Sequence, residues 1–269
     1  MNHDTTLPGG PEKKNVISTR SVFGAPCWVS LTSRDLHATT AFYSAVLGWQ
    51  WRGVRLGEHF RIALANGVPV AGIAAVASMW HMAVAWTPYF AVRDADVVAS
   101  RTRERGGTAA VGPLSLPPGR AALLADRDGA TFGIWAGDLV SNWESWRRAA
   151  PTFIRLHTRN AFDAALFYGE ILDWTSDRSG CCEVEYEGGE VVLRSRGAVV
   201  ARIDSGAVEA APDPTVRPHW QIHFFVADVA ACCRDAERHG GSVLREEEAE
   251  AILRDPDGAQ FTVTSRRER

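Results

Sequence analysis

The stretch PCWVSLTSRDLHATTAFYSAVLGWQW, residues 26–51, returns as PTFIRLHTRNAFDAALFYGEILDW, residues 151–174. Each copy opens on an apolar-polar alternation, the pattern of a half-buried strand, then passes through a polar turn into helical spacing. In the first copy Ala41, Phe42, Ala45 and Val46 fall on one helical face, and in the second Ala164, Phe167 and Ile171 do. A Phe-Tyr pair holds the same place in both, Phe42-Tyr43 and Phe167-Tyr168, and Gly48 supplies the first helix with a stop. Short β-rich runs follow at residues 61–67 and 68–76 in one half and 182–189, 190–197 and 198–204 in the other. Gly-containing turns that suit hairpins divide them.

A second pair of segments matches as well. TPYFAVRDADVVASRTRERGGTAAVGP (residues 87–113) with ADRDGATFGIW (125–135) parallels WQIHFFVADVAACCRDAERHGGSVLREE (220–247) with LRDPDGAQFTVTS (253–265). Each reads as a strand, a helix capped by Asp94 or Asp228, a Gly-Gly stop at 106–107 or 240–241, and further strands. An Asp-x-Asp-Gly turn at 126–129 or 255–258 leads into the last strand. Repetition of this kind decides the fold class, α+β, with four βαβββ modules in two domains. The boundaries read as a flexible tail at 1–20, a first domain at 21–140, a linker at 141–150 and a second domain at 151–269.

Composition narrows the function. A net charge of −3 from interspersed acids and bases offers no basic face for phosphates, so nucleic acid is not an expected partner. No apolar run reaches the ~18 residues a membrane span needs, and residues 1–20 lack the apolar region of a secretion signal. A cytoplasmic protein without a membrane partner is expected. The five cysteines, Cys27, Cys181, Cys182, Cys232 and Cys233, are odd in number and show no zinc-type spacing, so reduced thiols are expected. Of the adjacent Cys232 and Cys233, one is expected to pack inward.

The residues quoted above also carry a family resemblance: Arg-Asp-Leu before the first helix, Phe-Tyr followed by Leu-Gly-Trp, Phe-x-Val-x-Asp strand ends, and Asp-x-Asp-Gly before the last strand. The chain resembles the vicinal-oxygen-chelate superfamily, which includes glyoxalase I, extradiol dioxygenases, fosfomycin-modifying enzymes and bleomycin-binding resistance proteins. More narrowly it is similar to tandem two-domain glyoxalase-like proteins common in actinobacteria. The resemblance spans roughly residues 22–266 and implies half-open barrels, each with a cleft that takes a small organic ligand. Because a tandem chain can pair its own modules, a monomer or weak homodimer is expected.

In the metalloenzymes of that superfamily, ligands come from one inward position on the first strand of each module and one on the last strand. The resemblance puts these positions at Trp28 and Phe153, Thr87 and Gln221, and Gly133 and Thr262. Of these, Gln221 alone suits a divalent ion. No metal and no cofactor are therefore expected. A set built instead from His157, His223 and Glu185 meets a geometric objection: His157 lies ~13 Å along its strand from Phe153 at ~3.3 Å per residue.

Alternation along strands selects what else lines the clefts. In the first domain Trp28, Ser30, Thr32, Thr87, Tyr89 and Trp135 share a face, either as a pocket for a planar ligand or as barrel filling. In the second, Phe153, Arg155, His157, Gln221, His223, Phe225, Thr262 and Thr264 do. Arg155 can hold an anionic oxygen, and His157 and His223 can move protons. Alternatively, Arg155 and His157 pair with Glu183, Glu185 or Asp204 and merely satisfy a polar interior.

Two functions stand open. One is a metal-independent cyclase, isomerase or lyase of secondary metabolism, as in antibiotic biosynthesis, acting on an aromatic or polyketide-like compound. The other is a binding protein that sequesters a drug or metabolite between Trp28, Tyr89 and Trp135. A metal-dependent dioxygenase or hydroxylase ranks below both.

Overall fold

The computed structural model describes residues 17–54, 56–139, 152–174, 182–195 and 197–266. The sequence-predicted linker at 141–150 lies outside them. Among the described residues sixteen strands form two eight-stranded sheets. The first holds β1 (Pro26–Thr32), β2 (Gln50–Gly53), β3 (Phe60–Ala65), β4 (Val68–Ala74), β5 (Ala85–Ala91), β6 (Thr108–Leu116), β7 (Gly119–Ala125) and β8 (Thr131–Gly137). The second holds β9 (Thr152–Thr158), β10 (Glu183–Glu187), β11 (Glu190–Ser195), β12 (Ala198–Ser205), β13 (His219–Phe225), β14 (Ser242–Glu246), β15 (Glu250–Arg254) and β16 (Gln260–Thr264).

The strand orders are β2-β3-β4-β1-β5-β8-β7-β6 and β10-β11-β12-β9-β13-β16-β15-β14, one topology used twice. Within each sheet two modules meet through an antiparallel ladder of their first strands, β1 with β5 and β9 with β13. Each first strand runs parallel to the last strand of its own module. These are the two half-barrels that the repeat predicts.

Among the described residues four helices of ten residues or more complete the modules: α1 (Leu36–Leu47), α2 (Ala95–Glu104), α3 (Ala161–Ile171) and α4 (Val229–Arg238). Their N-caps are Asp35, Asp94, Asn160 and Asp228, whose side chains each accept from backbone N–H groups that the first turn leaves unpaired. Gly48 ends α1 with φ 67°, a left-handed conformation that costs glycine little. The buried face of α1 is Thr39, Phe42, Tyr43 and Val46, whereas Ala41 is exposed. The predicted stripe was thus rotated toward Ala41, because Tyr43, not alanine, faces the interior.

The two sheets pack back to back. Phe90 on β5 lies 5.3 Å from Trp220 on β13, and Trp86 lies 5.1 Å from Phe224, ring centre to ring centre. α1 packs on α4 and α2 on α3, so each helix pair joins the two halves, and one apolar cluster runs through both. The repeated motifs meet across this junction. A Cβ on Gly241 would come within 2.9 Å of the Phe42 ring, and one on Gly107 within 3.1 Å of Phe167, so the second glycine of each pair admits the other half's helical phenylalanine. Arg34 Nη1 pairs with Asp257 at 2.6 Å, and Arg159 binds Asp128 in the mirror position at 2.5 Å.

Residues 17–20, assigned to the tail by the sequence reading, are tied to the first sheet. Thr19 is buried, Ser18 bridges Asp138, and Ile17 joins a small apolar cluster with Val22, Ala25, Cys27, Ala91 and Leu139. Cys27, Cys232 and Cys233 are free and buried, so both members of the adjacent pair pack inward, contrary to expectation. The expectation of reduced thiols fails at Cys182, which is disulfide-bonded. No helix among the described residues is long and apolar enough to cross a membrane.

Candidate functional site

The faces turned away from the sheet-sheet core are the two clefts, and strand register makes them comparable rung by rung. In the first sheet Trp28 pairs with Tyr89, which pairs with Gly133; in the second Phe153 pairs with His223, which pairs with Thr262. One rung on, Ser30 lies between Thr87 and Gly72, and Arg155 lies between Gln221 and Arg202. At the third rung Thr32 meets Ala74, and His157 meets Asp204 and His219.

The first cleft is filled by its own aromatics. A Cβ on Gly133 would stand 2.4 Å from the Tyr89 ring, one on Gly119 2.6 Å from Trp135, and one on Gly72 2.9 Å from Trp28. Three glycines thus admit three rings. Trp28, Tyr89 and Trp135 pack against the apolar cluster that includes Val22 and Leu139, and the Trp135 indole donates to the Asp138 carbonyl at 2.9 Å. Burial, with the Cys27 thiol beside it, pushes the Tyr89 phenol up to about 12. Thr87 is buried and Ser30 half-buried.

The second cleft carries charge on the same framework. His157 Nδ1 lies 2.5 Å from an Asp204 oxygen. Arg155 donates to the other Asp204 oxygen at 3.2 Å and to Glu190 at 2.8 Å, and Arg202 reaches Glu190 at 3.3 Å. The imidazole of His219 stands 6.2 Å from that of His157, centre to centre, and its Nδ1 donates to the Arg217 carbonyl at 2.7 Å. Burial first, then the neighbouring His157, holds the His219 pKa below its usual value, so His219 stays neutral with its Nε2 lone pair free of the Arg217 bond. Gln221 donates to Thr262 at 2.7 Å. His223 is buried, with Nδ1 3.4 Å from Glu250 and Nε2 without a partner.

The expected grouping of Arg155, His157, Gln221, His223 and Thr262 on one face is thus present. Of the anticipated carboxylate partners Asp204 takes the role; Glu185 pairs instead with Arg194 at 2.8 Å. Glu190, Arg202, His219 and Glu250 were not foreseen. The alternation that selects Gln221, His223 and Phe225 extends one step back to His219, but nothing local marks Glu190, which reaches Arg155 from a different hairpin.

The donor chemistry does not fit a catalytic metal ion of the kind the resemblance implies. Register corrects the ligand positions drawn from the resemblance: Trp28 and Gly133 flank Tyr89, not Thr87, and Phe153 and Thr262 flank His223, not Gln221, so His223 is the one metal-suited side chain on those rungs. Among the described residues no three His, Cys, Asp or Glu side chains are grouped to hold an ion.

Residues 153–264 match the model of the glyoxalase-like domain family. Over 93% of this chain and 96% of the relative, the sequence is 31% identical to the anthracycline biosynthesis protein DauV of Streptomyces sp. strain C5. The anthracycline biosynthesis protein DnrV of Streptomyces peucetius is equally similar, at 31% identity over the same shares. Among solved structures, the Mn(II)-bound glyoxalase from Novosphingobium aromaticivorans superposes with a TM-score of 0.52 at 17% identity, covering 90% of this chain and 83% of that one. At that identity the likeness speaks for the fold alone.

Proposed function

The chain belongs to the glyoxalase-like proteins of the vicinal-oxygen-chelate superfamily; from that premise we propose that it is a metal-independent enzyme of cyclase, isomerase or lyase type. Its substrate is an aromatic or polyketide-like secondary metabolite bound in the second cleft. That two relatives are anthracycline biosynthesis proteins supports the substrate class, and the contrast between the clefts supports the choice of site.

The observation that carries the reading is the pair His157 and His219. Both rings have Nδ1 engaged, one by Asp204 at 2.5 Å and the other by a carbonyl at 2.7 Å, which leaves Nε2 of each for a substrate. A neutral imidazole takes the proton next to an enolisable carbonyl, the C–H electron pair moves into the enolate, and an imidazolium returns a proton at another atom. The net change shifts one proton and one double bond and needs no oxidant. Arg155, engaged with Asp204 and Glu190, is a positioning residue that fixes the carboxylate behind His157. Phe153, Gln221, His223 and Thr262 line the rest of the substrate face.

The test is solvent deuterium uptake next to the carbonyl of 2-tetralone, an enolisable aromatic ketone. Wild-type protein accelerates uptake, and His157→Gln loses that acceleration by roughly 10²–10⁴-fold while keeping its circular dichroism. Equal rates for the two proteins sink the reading.

A further inference from the structure

At the end of the second cleft opposite His157, a pocket of about 380 Å³ opens between β13 and the β14–β15 hairpin. Phe153 and Phe225 give it apolar walls, Glu247, Glu248 and Glu250 its carboxylates, and Arg266 is the one cation among its lining residues. His223 lines it too. That residue is 5% exposed, and its Nε2 has no hydrogen-bond partner. A buried polar nitrogen left unpaired is uncommon in a folded protein and calls for an explanation.

The chemistry of the missing partner follows from what faces it. Nδ1 lies 3.4 Å from a Glu250 oxygen, which makes Nδ1 the protonated nitrogen, since two lone pairs would repel. In the neutral form of His223 that leaves Nε2 as an acceptor. The carboxylates accept as well; Glu247 pairs with Arg245, and Glu250 also feels the charges of Arg155 and Arg245 from outside the lining. Acceptors with excess negative charge beside phenyl rings select a donor with positive charge, and aromatic rings reinforce that choice.

We propose that this pocket is a binding subsite for a protonated amine carried on an apolar body, with Glu250 and Glu248 balancing the ammonium and His223 accepting one of its hydrogens. A substrate that reaches His157 and carries such a group is then held at both ends of the cleft. The subsite needs no proton transfer at His157, so it stands or falls separately from the proposed reaction.

The test is calorimetric titration of the full chain at neutral pH with 2-phenylethylammonium, 2-phenylethanol and 3-phenylpropionate, the cation, a neutral analogue and an anion on one framework. The cation binds at least about tenfold more tightly than the other two, weakens as salt is added, and shifts the ¹⁵N resonance of His223 Nε2. Glu250→Gln and Glu248→Gln, each at an accessible hairpin residue, weaken the cation and leave the alcohol unchanged. Equal affinity for cation and alcohol, tighter binding of the anion, no saturable binding of the cation, or full affinity in both variants overturns the proposal.

Discussion

Tyr168, on α3 of the second half, donates its phenolic hydrogen to Asp126, in the last turn of the first half, at 3.0 Å. Tyr43 does the same to Asp255 at 3.0 Å in the opposite sense, and each phenol accepts from an indole, Trp220 at 2.9 Å and Trp86 at 2.8 Å. The carboxylates are in turn fixed by their own turns: Asp255 accepts from the backbone of Asp257, Gly258 and Ala259. The Phe-Tyr and Asp-x-Asp-Gly motifs that mark the repeats are therefore the two sides of one buried junction. Their work is to join the halves, not to do chemistry.

Removing the Tyr168 hydroxyl leaves a largely buried carboxylate short of a donor and an indole short of an acceptor. Tyr168→Phe therefore lowers unfolding free energy by roughly 1–3 kcal/mol, read by urea denaturation. Burial first, then Asp126, holds the Tyr168 phenol well above its usual value of 10.0. An unfolded chain ionises there and the folded one does not, so stability falls as pH rises above about 10. That alkaline loss is smaller in the variant.

The first cleft offers a steric test. Gly133→Ala places a methyl group 2.4 Å from the Tyr89 ring, which has packed neighbours to yield against. It costs about 1–3 kcal/mol as an overpacked site. An unchanged midpoint in denaturant means that Tyr89 moves freely and that the first cleft is open.

His219 predicts an acid dependence. Its folded pKa lies below the usual 6.5, chiefly through burial, so the unfolded chain takes up the proton first. The stability this neutral ring contributes is present above pH 6.5 and is lost as pH falls through the lowered value. His219→Gln flattens that part of the stability profile, and an unaltered slope counts against a neutral, half-buried ring.

Asp204→Asn keeps the shape behind His157 and removes the charge. It lowers kcat for deuterium uptake by roughly 10²-fold or more with little change in KM, because ring orientation and imidazolium stabilisation are lost, not binding. Loss confined to KM assigns Asp204 to substrate contact instead.

Much of the architecture was legible because its signals are local. Capping by Asp94 and Asp228, the stop at Gly48 and the doubled Phe-Tyr motif lie within a few residues of what they specify. Period-two alternation also placed Arg155, His157, Gln221 and His223 on one face. What the sequence hid depends on register between distant strands. Glu190 meets Arg155 across β12, Glu250 meets His223 across β16, and neither pairing has a spacing to read. The filled first cleft was hidden for a similar reason: Gly72, Gly119 and Gly133 are ordinary strand glycines until the topology sets rings over them.

The central claim is proton transfer in the second cleft without a metal ion, and deuterium uptake by 2-tetralone under exhaustive chelation tests it most directly. Protein with metal content reduced to background, checked by elemental analysis, keeps its full rate, and added Mn(II) leaves that rate unchanged. A rate that falls to the buffer value on chelation and returns with one equivalent of metal contradicts the account.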